Sequence, residues 1–198
     1  MFDLQYFGNI IYYSTLLKSK TILFSPKIRF QKGWFNNKCS IVSSTGLLKL
    51  SVPLSKGRNQ KNSLSQIKIA YEQDWRKQHL KAIKTCYSNS PFFDYYFQNF
   101  ESLFSKKYEN LFDLNFAIIE MTFKILKMDN EIKISENEEL LNFPFCSKVD
   151  NMFHEQLENN VIKYSQVFEN KLGFILNASV IDIIFNLGPL AKEKLSSN

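Results

Sequence analysis

The side chains best suited to chemistry are a histidine, a tight group of amides and ammoniums, and several aromatics. His79 stands four residues after Trp75, the spacing at which side chains neighbour each other on a helix. An imidazole titrates near pH 6.5, which makes His79 a candidate general acid or base. Its other reading is a helix histidine bonded to a backbone carbonyl. Lys32, Asn36, Asn37 and Lys38 crowd into one short stretch. Two cations and two amides can hold a phosphate or carboxylate through charge-assisted hydrogen bonds; the same residues also suit a polar turn, since Asn tolerates left-handed geometry. His79, Asn37 and Lys32 are the catalytic candidates. Asn36 and Lys38 join the binding candidates with Tyr6, Tyr12 and Trp34, whose rings could stack on a sugar or a base, although in a chain this rich in phenylalanine aromatic rings more often belong to the core. Trp75 is carried with them as the neighbour of His79, its other reading being a core position alongside Tyr87 and Phe92. Asp182 lies in an apolar run, and a buried carboxylate needs a partner, which points to a structural hydrogen bond rather than catalysis.

Other chemistries are excluded. GxSxG, P-loop, GxGxxG and HExxH signatures do not occur. With six glycines in 198 residues, a glycine-rich phosphate cradle is not expected. His79 and His154 are the only histidines, and His154 falls in a stretch read as surface. Cys39, Cys86 and Cys146 are odd in number, widely spaced and form no CxxC. This argues against a disulfide framework and against zinc, so no metal is expected, no cofactor is identified, and a reducing cytoplasm fits. The net charge is +6, yet the cations are almost all lysine, with only Arg29, Arg58 and Arg76 besides. Nucleic-acid sites favour arginine for its planar fork. Lys, Asn, Ile, Phe and Tyr share AT-rich codons, so base composition accounts for the charge and nucleic acid is not the expected partner. Met1 to Asn9 lacks the basic start and apolar run of a secretory signal. No stretch approaches the roughly 20 apolar residues that span a bilayer.

The elements that must position these residues are short at the N-terminal side and helical after it. Tyr12 to Leu17 reads as a short helix, and Thr21 to Ser25 as a strand stopped by Pro26. Cys39 to Val42 and Leu47 to Leu54 flank Ser43-Ser44-Thr45-Gly46, a hairpin signal with Gly46 supplying a positive φ. Leu48, Leu50, Val52 and Leu54 alternate with polar residues and should face the core. Ser65 to Tyr71 alternates likewise and reads as a strand. Asp74 caps a helix from Trp75 to about Tyr87. Pro91 opens a helix from Phe92 to Phe104, and Phe112 to Lys127 carries a further apolar stripe. The Glu-rich stretch near Ser135, extending to about 148, reads as an exposed loop. Val161 to Lys171 reads as helix closed by Gly173. Ser179 caps Val180 to Leu187, which Gly188-Pro189 ends. The whole is α/β or α+β: one domain over 1–198, with a small N-terminal mixed sheet and hairpin and a mostly helical C-terminal half packed on it.

Six local patterns succeed one another along this chain. They are Gln5-Tyr6-Phe7-Gly8 with Tyr12-Tyr13; Gln31-Lys32-Gly33-Trp34-Phe35-Asn36-Asn37-Lys38-Cys39; Gly46 with Leu50-Ser51-Val52-Pro53; Trp75 to Ile83 with Tyr87, Ser90-Pro91-Phe92-Phe93 and Tyr95-Tyr96; Lys106-Lys107-Tyr108 with Leu111 to Asn115; and Tyr164 to Phe168 with Gly173-Phe174, Asn177, Ser179, Asp182 and Phe185 to Pro189. In that order and spacing the chain resembles the WbqC-like family, in particular its Bacteroidetes branch, over roughly Gln5 to Leu195. The resemblance adds Gln5 to the binding candidates. It implies a cytoplasmic protein of O-antigen or lipopolysaccharide synthesis, a transferase decorating a sugar, whose partner is a nucleotide sugar or an acyl or aminoacyl donor. Two departures bear on activity. The family tends to carry an acidic residue where this chain has Ser25-Pro26-Lys27, and Arg-Asn-Arg where it has Asn36-Asn37-Lys38. An Arg to Lys exchange is not neutral at a bidentate site, so a non-catalytic binding or scaffold protein is the alternative.

Overall fold

The computed structural model describes residues 1–137 and 161–197. The acidic stretch beyond 137, Cys146 and His154 lie outside the described residues. Helix α1 spans Ile10–Leu17, starting earlier than the periodicity indicates because the Asn9 side chain caps it by accepting from Tyr12 N at 2.9 Å. Strand β1, Thr21–Phe24, leads to the hairpin of β2, Lys38–Ser43, and β3, Gly46–Ser51. In the hairpin Ser43 pairs with Gly46, which turns the chain at a φ of 112° that a side chain would strain. Three long helices follow: α2, Trp75–Tyr87, α3, Phe93–Ser105, and α4, Leu111–Leu126. Asp74 caps α2 as the sequence indicates, and Asn110 caps α4 by accepting from Asp113 N at 2.9 Å. Strand β4, Glu131–Ile134, returns to pair in parallel with β1, and α5, Glu169–Leu172, α6, Val180–Leu187, and α7, Ala191–Ser196, follow. The mixed α/β class holds, with most of the helix in the C-terminal half. The strand component is two separate two-stranded pieces, one parallel and one antiparallel.

Three segments differ from the sequence reading. Ser65 to Tyr71 is not a strand. Ser63 and Gln66 form a reciprocal capping box around a 3-10 turn at Leu64–Gln66. Such side-chain bonding to the backbone competes with a ladder, and only isolated bridges remain, Leu54 to Ile69 and Lys68 to Asn110. Leu48 is 39% exposed rather than buried. It sits near the hairpin tip, beyond the body that covers Leu50 and Val52. Residues 161–166 are not helical. Ile162, Tyr164 and Gln166 turn inward while Lys163 and Ser165 face out, the period of extended chain. The inward groups are anchored by Asp182, which accepts from the Tyr164 hydroxyl and from Gln166 Nε2 at 3.0 Å. Burial pushes the Asp182 carboxyl up from the ordinary carboxylate range, with these hydrogen bonds opposing it.

The core is aromatic, as the 19 phenylalanines suggest. Phe7 stacks on Phe100, and Phe185 of α6 lies among Tyr87, Phe93 and Phe100. Packing at the N-terminal segment is tight enough to require glycine at position 8, where an added Cβ would stand 2.5 Å from the buried Tyr12 ring and 3.0 Å from Gln5 Oε1. Gly8→Ala is expected to cost about 1–3 kcal/mol through overpacking, read as a lower urea midpoint. An unchanged midpoint would show that Tyr12 can move aside.

Candidate functional site

The residues singled out in the sequence fall into an inner and an outer set. The stretch 31–38 runs beneath the N-terminal segment, where Tyr6 N donates to Phe35 O at 2.9 Å. Asn36 is buried, and its Nδ2 donates to Leu4 O at 2.9 Å. Asn37 is buried as well. Its Nδ2 donates to Val52 O at 3.0 Å, and its own carbonyl accepts from Val52 N at 2.8 Å. From the far side Asn115 of α4 donates to Asn36 O at 2.7 Å. The two amides are therefore spent on the main chain and hold the stretch in place. Lys32 and Gly33 are exposed, Trp34 and Lys38 half-buried. The Lys38 ammonium stands 5.9 Å over the Phe35 ring, within cation–π reach.

His79 lies behind this stretch. Its Nδ1 is 2.7 Å from the Tyr6 hydroxyl, and the Trp75 ring meets it edge-on at 5.2 Å. The Tyr6 hydroxyl has no other acceptor among the described residues, so it donates to Nδ1. That tautomer leaves Nε2–H for the Ser51 carbonyl, the second group bonded to the ring. Burial drives the His79 pKa down to about 4 against the opposing effect of Ser51, and burial likewise holds the Tyr6 hydroxyl protonated. Both nitrogens are engaged and the ring is neutral at pH 7. Ser51 pairs with Lys38 across the hairpin and precedes Val52, the partner of Asn37. His79, Tyr6, Asn37 and Lys38 thus converge on one end of the hairpin, while Lys32 is exposed to solvent. Trp75 is buried and donates from Nε1 to Ala70 O at 3.1 Å. Tyr12 is buried and donates to Asp3 O at 2.8 Å. Gln5 is buried against Gly8, its Oε1 without a partner among the described residues.

The sequence did not single out a cleft of about 230 Å³ beside this site, bounded by Phe35, Cys39 and Ser40 on one side and by Asn9, Asn177 and Ser179 on the other. The N-caps of α1 and α6 meet there, since Asn9 and Ser179 form a bridge and Ser179 N donates to Ser40 O at 2.9 Å. Burial pushes the Cys39 thiol far above its ordinary range, so it is protonated and a poor nucleophile. A wider open groove of about 560 Å³ lies over Tyr164 between Lys163 and Lys194; none of the sequence candidates lines it. Among the described residues no three His, Cys, Asp or Glu side chains stand close enough to hold a metal, and no helix is long and apolar enough to cross a membrane.

The model of the WbqC-like protein family aligns with residues 5–156, which takes in the N-terminal segment, the stretch 31–38, the hairpin and α2. No curated protein and no solved structure matches the chain.

Proposed function

Because the chain belongs to the WbqC-like protein family, we propose that it is a cytoplasmic transferase of bacterial surface-polysaccharide synthesis, of the O-antigen or lipopolysaccharide kind, acting on a nucleotide sugar or an acyl or aminoacyl donor. The observation that carries this reading is the stretch 31–38. Its buried amides are tied to the main chain at Leu4 and Val52, while Lys32, Trp34 and Lys38 are left on its outer side. A rigid loop bearing two ammoniums and an indole suits a ligand that combines a phosphate with a sugar or base. In this reading Lys32 and Lys38 bind the anionic part and Trp34 stacks on the ring. His79, Asn37, Asn36, Gln5, Tyr6, Tyr12 and Trp75 act from behind as positioning residues, a role supported by the burial of their polar groups and the two engaged nitrogens of His79.

Calorimetric titration of the full chain with nucleotide sugars tests this. Wild type should bind, and Lys38→Ala and Trp34→Ala should each weaken binding roughly tenfold, a loss of about 1.4 kcal/mol. Equal affinity in all three proteins would sink the assignment of the loop. Burial makes His79 a weak base, with its pKa lowered to about 4, and keeps Cys39 protonated, which favours a second reading, a protein that binds the same ligand without turning it over. Binding with no product formed from any donor would select it.

A further inference from the structure

The cleft between Asn9, Asn177 and the hairpin carries hydrogen-bond donors that the fold does not use. Asn9 is buried; its Oδ1 accepts from Tyr12 N, and its Nδ2 has no partner among the described residues. Asn177 stands half-buried across the cleft. Its Oδ1 accepts from Ile11 N at 3.3 Å, which leaves its Nδ2 open to solvent or ligand. Buried polar groups are almost always paired, so an orphaned donor beside a cavity calls for an acceptor from outside. The backbone beside these amides is strained. Among the described residues the non-glycine positions with positive φ are Phe7, Lys127 and Asn177. Lys127 ends α4, whereas Phe7 and Asn177 both line the cleft. Strained backbone of this kind gathers at ligand sites.

The ligand's chemistry follows from the lining. No carboxylate is among the residues that bound the cleft, and the positive ends of the α1 and α6 dipoles meet there, which favours an anion. The first-turn N–H groups are already taken. Ile10 N donates to Ala178 O, Val180 N to Gly8 O, and Ile181 N to Ser179 Oγ. The side-chain donors left at the cleft are the two amides and the Ser40 hydroxyl. At the mouth Leu47 and Leu176 are 56% and 45% exposed, and Phe35 adds an aromatic wall. A volume of about 230 Å³ falls below the roughly 300–1,000 Å³ of pockets for drug-sized ligands, so a nucleotide does not fit within it.

We propose that this cleft is a subsite for a small carboxylate carried on a short apolar chain, with its oxygens on the Asn9 and Asn177 amides and its carbon end against Leu47, Leu176 and Phe35. The inference takes the transferase reading one step further, and rests on it for the larger molecule that would carry the acid. The thiol of Cys39 takes no covalent part.

Nitrogen-resolved NMR of the full chain tests the proposal through the side-chain amides themselves. Titration with butyrate should shift the Asn9 and Asn177 NH₂ signals saturably, and more tightly than acetate, which lacks the chain. Asn9→Asp keeps the oxygen that caps Tyr12 N but replaces the free donor with a carboxylate oxygen. Asn177→Asp does the same toward Ile11 N. Each should weaken butyrate roughly tenfold with the thermal midpoint preserved. Failure of both amides to respond, equal affinity in the variants, or binding of inorganic phosphate in place of butyrate would overturn the proposal. A chain that binds nucleotide sugars through Lys38 and Trp34 but no carboxylate here overturns this inference alone. One that binds butyrate here and no nucleotide sugar keeps the subsite and removes the donor reading.

Discussion

Taking the protein from pH 7 to pH 4 is expected to cost about 3 kcal/mol of stability through His79 alone. Burial lowers its pKa from the ordinary 6.5 to about 4, with the Ser51 carbonyl opposing. One pKa unit corresponds to about 1.4 kcal/mol. The sign follows from which state takes the proton. In the unfolded chain His79 protonates below about pH 6.5, whereas in the folded protein the ring stays neutral until about pH 4. The contribution is therefore fully present above pH 6.5 and is lost as the pH falls through the folded value. Tyr6, Trp75 and Phe104 surround the ring, and none of them supplies a charge to offset the imidazolium. Urea unfolding across this range checks the prediction, with His79→Gln as the control, because carboxylates elsewhere also respond to acid. The variant should lose most of the pH dependence that wild type shows between pH 6.5 and 4. Parallel profiles would mean that the ring reaches solvent. Tyr6→Phe makes the complementary case. It leaves Nδ1 buried without a donor, at a cost of about 1–3 kcal/mol, and that cost should shrink in acid, where the ring of the variant protonates. A neutral, doubly bonded His79 also predicts that its titration leaves no mark on any activity between pH 6 and 8.

The elements legible in the sequence were those whose ends are written locally. Asp74 before Trp75, and Ser179 before Val180 with Gly188-Pro189 after Leu187, place α2 and α6 at their observed bounds. Caps are interactions within one turn, so a short window contains them. What failed depended on distant partners. Strand β4 is four residues long and mostly exposed, and it exists because β1 offers an edge. Residues 161–166 show Ile162, Tyr164 and Gln166 at a period of two, the signal of extended chain. Their extended form is fixed by Asp182, sixteen or more residues away. The candidate site divides in the same manner. His79 and its neighbour Trp75 were visible because they share a helix face, but the Tyr6 hydroxyl that orients His79 comes from 73 residues earlier. Asn115 lies on an apolar helix stripe and reads as an interruption until Leu4 and Asn36 are brought against it. The cleft joins Asn9, Cys39 and Asn177, which only the folded chain assembles.

Phe185→Ala is expected to be the most damaging single truncation in the core, at about 3–5 kcal/mol. The ring is fully buried and lies 5.1 Å from Phe100 and 5.3 Å from both Tyr87 and Phe93. It thereby joins α6 to α2 and α3, and its own carbonyl accepts from Phe92 N at 3.0 Å. Removing it leaves a cavity among rings that are held on two helices, α2 and α3, and cannot close in together, so the cavity cost adds to the lost transfer energy. Phe185→Leu keeps most of the volume and should cost under about 2 kcal/mol. For a chain of this size the alanine variant should lower the thermal midpoint by about 6–20 °C. The probe matters as much as the size. Trp34 and Trp75 lie far from Phe185 in sequence, in the part that precedes the acidic stretch. If the chain unfolds as one cooperative unit, their fluorescence must report the same lowered midpoint as the loss of helix. If the segment from 161 onward were a separate unit docked on the rest, the tryptophans would keep the wild-type midpoint while helical signal was lost early. Coincident transitions are expected, because the aromatic cluster around Phe185 continues through Phe100 to Phe7 and so reaches the N-terminal segment that frames both His79 and the cleft.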